Sequence, residues 1–406
     1  MRIDRTRSRH IFRQKSRWSG CLSWMTTLSV LLLIVFVGRQ TWQLWWLQWL
    51  SAPDASLSIT DVQVAYRAGD LDSTITMAQT IYGADNTNTQ ALETLVRALI
   101  YRSYADLNQE ADRELALSLT TSSIERTPYD MQVLGIHAFA LQANAQSADA
   151  QRVALRVIRN DDQQLAARVA LSLSYASQGI FEAALRDALR AVELANESAP
   201  NWRADAYRAL AIAYSDLGRY DDAAEAVETA ITHDRRLLAL HFERALYAQQ
   251  VGQMDTATAY YFNVIAFDEN NSKARFRLCE LSSQLGERDA AIDWCTQVTD
   301  LAPGWSEGWY WLGREYYLNG DWRNTQIALN RCTTLQVAQA VPIEDRRFEC
   351  WYIQGQAAEV LADCPSLLAL YGQYQEMART AELTQRWTYP NDMPTICATP
   401  SVTTTP

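Results

Sequence analysis

Along most of the chain, small and large apolar residues return at one fixed interval. Gly218, Gly252, Gly286 and Gly320 are each 34 residues apart. Five residues after them stand Ala223, Ala257, Ala291 and Thr325, and eight residues before them Leu210, Arg244, Leu278 and Leu312. A period of this length, kept over several copies, marks a stack of repeated supersecondary units. The glycine suits the left-handed end of a first helix before a second one begins. Small residues on either side of it allow two antiparallel helices to approach closely. A separate pattern stands at the other end of the chain: Leu22 to Gly38 runs 17 residues without a charge. As a helix it spans about 25 Å, slightly short of a ~30 Å hydrocarbon core.

The unit beginning at Ser306 holds Trp309, Leu312, Gly313 and Tyr316, a W-x2-L-G-x2-Y pattern, and Pro303 closes the unit before it. The unit from Ala204 holds Tyr207, Leu210, Ala211, Tyr214, Gly218, Tyr220, Ala223 and Ala230. Through these residues the chain resembles the tetratricopeptide-repeat (TPR) family over nearly everything after residue 55. The resemblance implies an all-α fold, a right-handed superhelical solenoid of TPR helical hairpins, here preceded by one transmembrane helix. Each hairpin alone leaves an apolar face exposed, so stacking of neighbours makes the core. In this register about eight units fill residues 55–339, at 55–88, 89–130, 131–164, 165–203, 204–237, 238–271, 272–305 and 306–339. The second unit carries an insertion, expected around Tyr104–Glu110, and the fourth an extra loop near Ser198–Arg203. After Val337 the pattern frays. Trp351, Tyr352 and Gly355 repeat Trp309, Tyr310 and Gly313, which predicts an irregular C-terminal helical cap over 340–386, its second helix starting near Pro365. Residues 387–406 are expected to be a Thr/Pro-rich tail.

Charge changes the picture at the N-terminus. The net charge of −11 is uneven: residues 1–50 hold eight basic residues and one acid, and the rest 28 basic against 46 acidic. The basic residues precede the apolar run, and Trp42, Trp45, Trp46 and Trp49 follow it, as at a membrane boundary. This predicts a basic cytoplasmic tail at 1–20 and a transmembrane helix with a Trp-rich interfacial end at 21–50. The chain is then a single-pass cell-membrane protein with its TPR region outside the cytoplasm. A cleaved leader fits less well, because Pro53 directly follows the small residue Ala52 and the apolar run ends far upstream. The acidic body argues against nucleic acid as a partner, since phosphate neutralisation needs clustered Lys and Arg. Two lysines stand against 34 arginines.

Cys21 lies at the edge of the apolar run; Cys279, Cys295, Cys332, Cys350, Cys364 and Cys397 lie in the last third. An even number in an exported region suggests disulfides, although six cysteines allow fifteen connectivities. Proximity favours Cys279 with Cys295, Cys332 with Cys350, and Cys364 with Cys397; the alternative is six buried free thiols. The four histidines have no partner at ligand spacing, and no phosphate loop, dinucleotide fingerprint or nucleophile elbow occurs. No enzyme, cofactor or metal is expected.

In TPR proteins the second, fifth and ninth positions of each unit face a concave groove. The resemblance places Arg208, Phe242, Leu246, Lys273, Phe276, Tyr310 and Arg314 there, with Asp205, Glu280 and Glu307. Phe242, Phe276 and Tyr310 would align as an aromatic strip able to hold an extended peptide or helix, with the cations available for carboxylates. The expected function is a membrane-anchored scaffold for protein–protein interaction, in assembly of an envelope or secretion complex. The alternative is a receptor or accessory subunit binding glycan or cell-wall polymer through its aromatics, which predicts exposed Trp or Tyr grouped with Asp or Asn, and loss of polymer pull-down on mutating Tyr310. A third reading, an enzyme site hidden in the cap, requires a polar pocket near Asp363–Asp392.

Overall fold

The computed structural model of the chain describes residues 57–107, 109–381, 387–389 and 394–397. The predicted membrane segment at 21–50 and the basic tail before it lie outside the described residues. No helix among the described residues is long and apolar enough to cross a membrane.

Eighteen α-helices are described, and no strand. They run in antiparallel pairs: α1 (Ile59–Arg67) with α2 (Leu71–Ala84), α3 (Thr89–Ala105) with α4 (Glu110–Arg126), α5 (Met131–Ala143) with α6 (Ser147–Asn160). The series continues with α7 (Leu165–Ser177) and α8 (Phe181–Glu197), α9 (Arg203–Asp216) and α10 (Tyr220–His233), α11 (Leu238–Gln250) and α12 (Met254–Phe267). It ends with α13 (Ser272–Leu285) and α14 (Arg288–Leu301), α15 (Ser306–Leu318) and α16 (Trp322–Ala338), and a last pair, α17 (Glu349–Val360) and α18 (Cys364–Thr380).

The turn inside each pair explains the glycine spacing. Gly69, Gly179, Gly218, Gly252, Gly286 and Gly320 all have φ between 72° and 79°. Three further turns use Ala145, Ala340 and Ala362 in the same left-handed region, with φ of 53° to 59°. The small residues after the turn are fully buried: Ala223, Ala257, Ala291 and Thr325 are each 0% exposed. At Gly313 a Cβ would lie 2.5 Å from Leu329, so the two helices of that hairpin touch through the missing side chain.

The longer units gain length mainly in helix. α3, α4 and α8 have 17 residues where most of their counterparts have 13 or 14. The fourth pair also adds a 3-10 turn at Pro200–Trp202. These longer helices place α3 against distant parts of the solenoid. Eleven of its 17 residues are buried, and it meets α1, α5 and α11 as well as its own partner.

The cap takes in residues that the sequence pattern assigns to the tail. Pro365 sits in the first turn of α18, capped by Asp363 through the Ser366 N–H. Trp387, 6% exposed, packs edge-on against Tyr352, Tyr371 and Tyr374. A Cβ on Gly355 would lie 2.1 Å from the Trp387 ring. The cap therefore extends to residue 389, because the indole fills the notch that glycine leaves. Disulfides join Cys279 to Cys295, Cys332 to Cys350 and Cys364 to Cys397, with Cα separations of 5.2, 6.2 and 5.5 Å.

Candidate interaction groove

The concave positions fall into two regions with different surroundings. In α9, α11 and the start of α13 they face α3. Asp205 pairs with Arg97 of α3, and both side chains are almost fully buried, at 1% and 3% exposure. Arg208 donates to Glu243 at 2.7 Å and lies over the rings of Tyr104 and Tyr101 at 5.0 and 5.8 Å. Lys273, over the Phe242 ring at 4.5 Å, donates to the Tyr104 carbonyl.

The end of α3 is completed from across the superhelix. Its last carbonyls have no intrahelical donor. Lys273 Nζ serves Tyr104 and Asn271 Nδ2 serves Ala105, the latter at 3.0 Å. Asp106 returns the favour at the start of α13, accepting from Ser272 Oγ at 2.6 Å and from the Lys273 N–H at 2.9 Å. A cation at a helix C-terminus and a carboxylate at an N-terminus both complement the helix dipoles. Burial pushes the Lys273 ammonium down to about 8, with Arg277 adding to the effect and Glu243 and Asp106 opposing it. Burial is also the first influence on Arg208, but Glu243 and the two tyrosines outweigh it and hold the guanidinium charged.

From Phe276 onward the face is not covered by α3. Phe276 meets Trp305 at 4.8 Å and Trp311 at 5.8 Å, both edge-on. Three arginines lie over this aromatic row: Arg277 over Phe276, Arg314 over Trp311 and Arg347 over Tyr310, at 5.8, 5.0 and 4.4 Å. Their side chains keep 45%, 34% and 39% of their surface in solvent. Each is steered by a carboxylate: Glu280, Glu315 and Glu307 respectively. Glu315 is itself fully buried and also accepts from Ser283 at 2.7 Å and from Arg288. Tyr317 donates to Gln356 at 2.9 Å, which donates to Tyr352 at 2.8 Å, carrying the row into the cap.

This geometry changes the aromatic strip expected from the repeat register. Phe242, Phe276 and Tyr310 are 9%, 8% and 9% exposed. They occupy equivalent positions, but each ring is covered by a cation or by neighbouring rings. Arg208 and Lys273 are turned inward to α3, while Leu246 remains 46% exposed. Arg277 and Arg347 were not among the expected groove residues. Arg277 lies one residue off the assumed register, and Arg347 lies in the segment between α16 and α17 that the repeat does not cover.

The tetratricopeptide repeat family model matches residues 204–236. No curated protein sequence is similar to the chain. Among solved structures, the chain is similar to one in the crystal structure of the APC/C hetero-tetramer Cut9–Hcn1, with a TM-score of 0.50 and 14% identity. That likeness covers 76% of this chain and 57% of the other, so the chain spans little more than half the length of this neighbour. It is also similar to the C-terminal part of a TPR repeat-containing protein from Cytophaga hutchinsonii, at a TM-score of 0.49 and 14% identity, covering 61% of this chain and 96% of that one. A third is YrrB, described as a TPR protein with an unusual peptide-binding site, at 0.35 and 20%, covering 45% and 92%. The chain carries a tetratricopeptide repeat at 204–236, set within an all-helical solenoid of the tetratricopeptide type.

Proposed function

We propose that the chain is a protein-interaction scaffold that holds a protein or peptide segment against residues 276–356 of its concave face. The observation that carries this reading is the row of half-exposed arginines, Arg277, Arg314 and Arg347, each lying over an aromatic ring. A guanidinium stacked on a ring loses little freedom when it binds a carboxylate, and Arg and aromatic residues dominate binding hot spots. Of the equivalent positions between Asp205 and Lys273, Asp205, Arg208 and Lys273 are taken up by α3, and Leu246 remains exposed. The apolar run at 22–38, its basic flank and the six cysteines of the acidic body support a fuller reading. In it, residues 21–50 anchor the scaffold in a membrane, and the groove works outside the cytoplasm in an envelope or secretion assembly.

For glycan binding, Tyr310 itself offers little surface, since it lies beneath Arg347 and is 9% exposed. In the cap, the Asp363 carboxyl is held below its usual range by its bonds to Ser366, as expected of a helix cap. Photo-crosslinkers placed at Arg277 and Arg314, with Phe262 as a control on α12, test the scaffold reading in cells. Partner adducts from the two groove positions support it; adducts from Phe262 alone refute it. Deletion of residues 1–50 should release the protein from the membrane fraction, and retention would refute the anchor.

A further inference from the structure

At the opposite end of α3, where α1 and the 200–202 turn also meet α10, the seam holds a partly open cavity of about 170 Å³. A cavity of about 150 Å³ is large enough for a six-carbon ring, so this one suits a small organic molecule. Its walls hold polar atoms that the protein leaves unmatched. Tyr66 is 4% exposed, and its hydroxyl makes no hydrogen bond. Asp234 lines the same cavity at 7% exposure, and its carboxylate has no donor within reach.

The neighbouring charges are already engaged. Arg97 lies between the Tyr66 and Trp202 rings at 4.7 and 4.6 Å, and donates to the Asn201 carbonyl at 2.7 Å and to Asp205. Glu93 accepts from Trp202 Nε1 at 2.7 Å and from Gln132 at 3.2 Å. Arg67 is held by Asn201 Oδ1 at 3.2 Å. The His233 imidazole, also at the wall, is pushed below its usual range by burial and by Arg203.

Two guanidiniums, Arg67 and Arg97, and two carboxylates, Glu93 and Asp234, line the cavity. Arg97 is engaged by Asp205 behind the wall, which leaves Asp234 as the lining carboxylate without a donor. A buried carboxylate in that state is unfavourable until a cation with N–H bonds meets it. A bare metal ion fits poorly, since no cluster of three or more metal-binding side chains exists among the described residues.

We propose that this cavity binds a small organic cation through its primary ammonium group, which donates to the Asp234 carboxylate and the Tyr66 oxygen. The occupant would touch α1, α3 and α10 together, and so would fasten the seam that closes α3 into the solenoid. This inference does not depend on the scaffold reading.

Calorimetric titration of the full-length chain with methylammonium, ethanolamine and putrescine, with acetate as control, tests it. At neutral pH at least one amine should bind saturably, at one site per chain, and raise the melting temperature. Asp234→Asn, which keeps the shape and removes the charge, should weaken binding by about thirtyfold or more. Tyr66→Phe should weaken it by roughly threefold to tenfold. Binding should also fade as pH drops through about 6, where Asp234 takes up its proton; of the other groups facing the amine, Arg97 keeps its charge and Tyr66 stays neutral. Saturable binding of acetate, equal amine affinity in Asp234→Asn, or no saturable binding of any amine would each overturn the proposal.

Discussion

The two regions of the concave face use the same repeat positions in opposite ways. Between Asp205 and Lys273 those positions hold charges that are desolvated and matched against α3, a helix more than 100 residues earlier in the chain. Between Phe276 and Gln356 they hold aromatic rings overlain by arginines that stay partly in water, and the hairpins beneath are cross-linked by disulfides. The first region gains rigidity by enclosing part of its own chain. The second keeps its arginines partly in water and draws its rigidity from covalent bonds. A repeat register therefore says which residues point into a superhelix; what they meet there depends on how far the superhelix closes.

The sharpest way to break this contrast is Arg97→Ala. It leaves Asp205 buried without its partner and should cost about 3–5 kcal/mol in equilibrium denaturation. Hydrogen exchange should rise first in α3 and α9, while α15 to α18 stay protected; uniform exchange would show that the two regions are one cooperative unit. The reciprocal experiment is Cys332→Ala with Cys350→Ala, which opens a loop of 18 residues. Loss of about 3 kcal/mol is expected from loop-closure entropy, confined to the C-terminal hairpins.

Smaller effects sharpen the comparison. Gly355→Ala forces the Trp387 ring out of its notch and should cost about 1–3 kcal/mol, seen as an altered Trp emission and a lower melting temperature. Asp234→Asn should act in the other direction. Burial raises the folded carboxyl from 3.8 to about 6. Within that window the folded state holds more protons than the unfolded state, so this group's contribution to stability falls as pH rises. The variant should lack the fall and be about 1–2 kcal/mol more stable at neutral pH by urea denaturation. Arg277→Ala, on the open row, should change stability by less than about 0.5 kcal/mol while reducing partner capture in the crosslinking assay.

Some of the architecture was legible residue by residue. The turn glycines announce themselves because a left-handed residue strongly favours glycine. The turns at Ala145, Ala340 and Ala362 use the same backbone shape with a residue that carries no such signal, which is why the pattern fades there. The extra length of the second and fourth units was visible as a count, but its form was not. Whether added residues extend a helix or a loop depends on what the longer helix can bury, and here α3 buries itself against α9 and α11. The groove residues were placed by register, yet their availability was not. Arg208 and Glu243 are 35 residues apart, whereas Lys273 and Tyr104 are 169 apart, and no local pattern reports a contact at that distance.

The sequence by itself determined the helical hairpins, their number and their order, because those follow from packing between residues within one or two repeats of each other. It also carried the acidic body, the basic flank and the uncharged run at 22–38. The tertiary structure alone decided where the cap ends and which part of the concave face stays open. These depend on the superhelix bringing residues 104 and 273, or 355 and 387, into contact. Such closure sums small rotations over many repeats, and no single repeat encodes it.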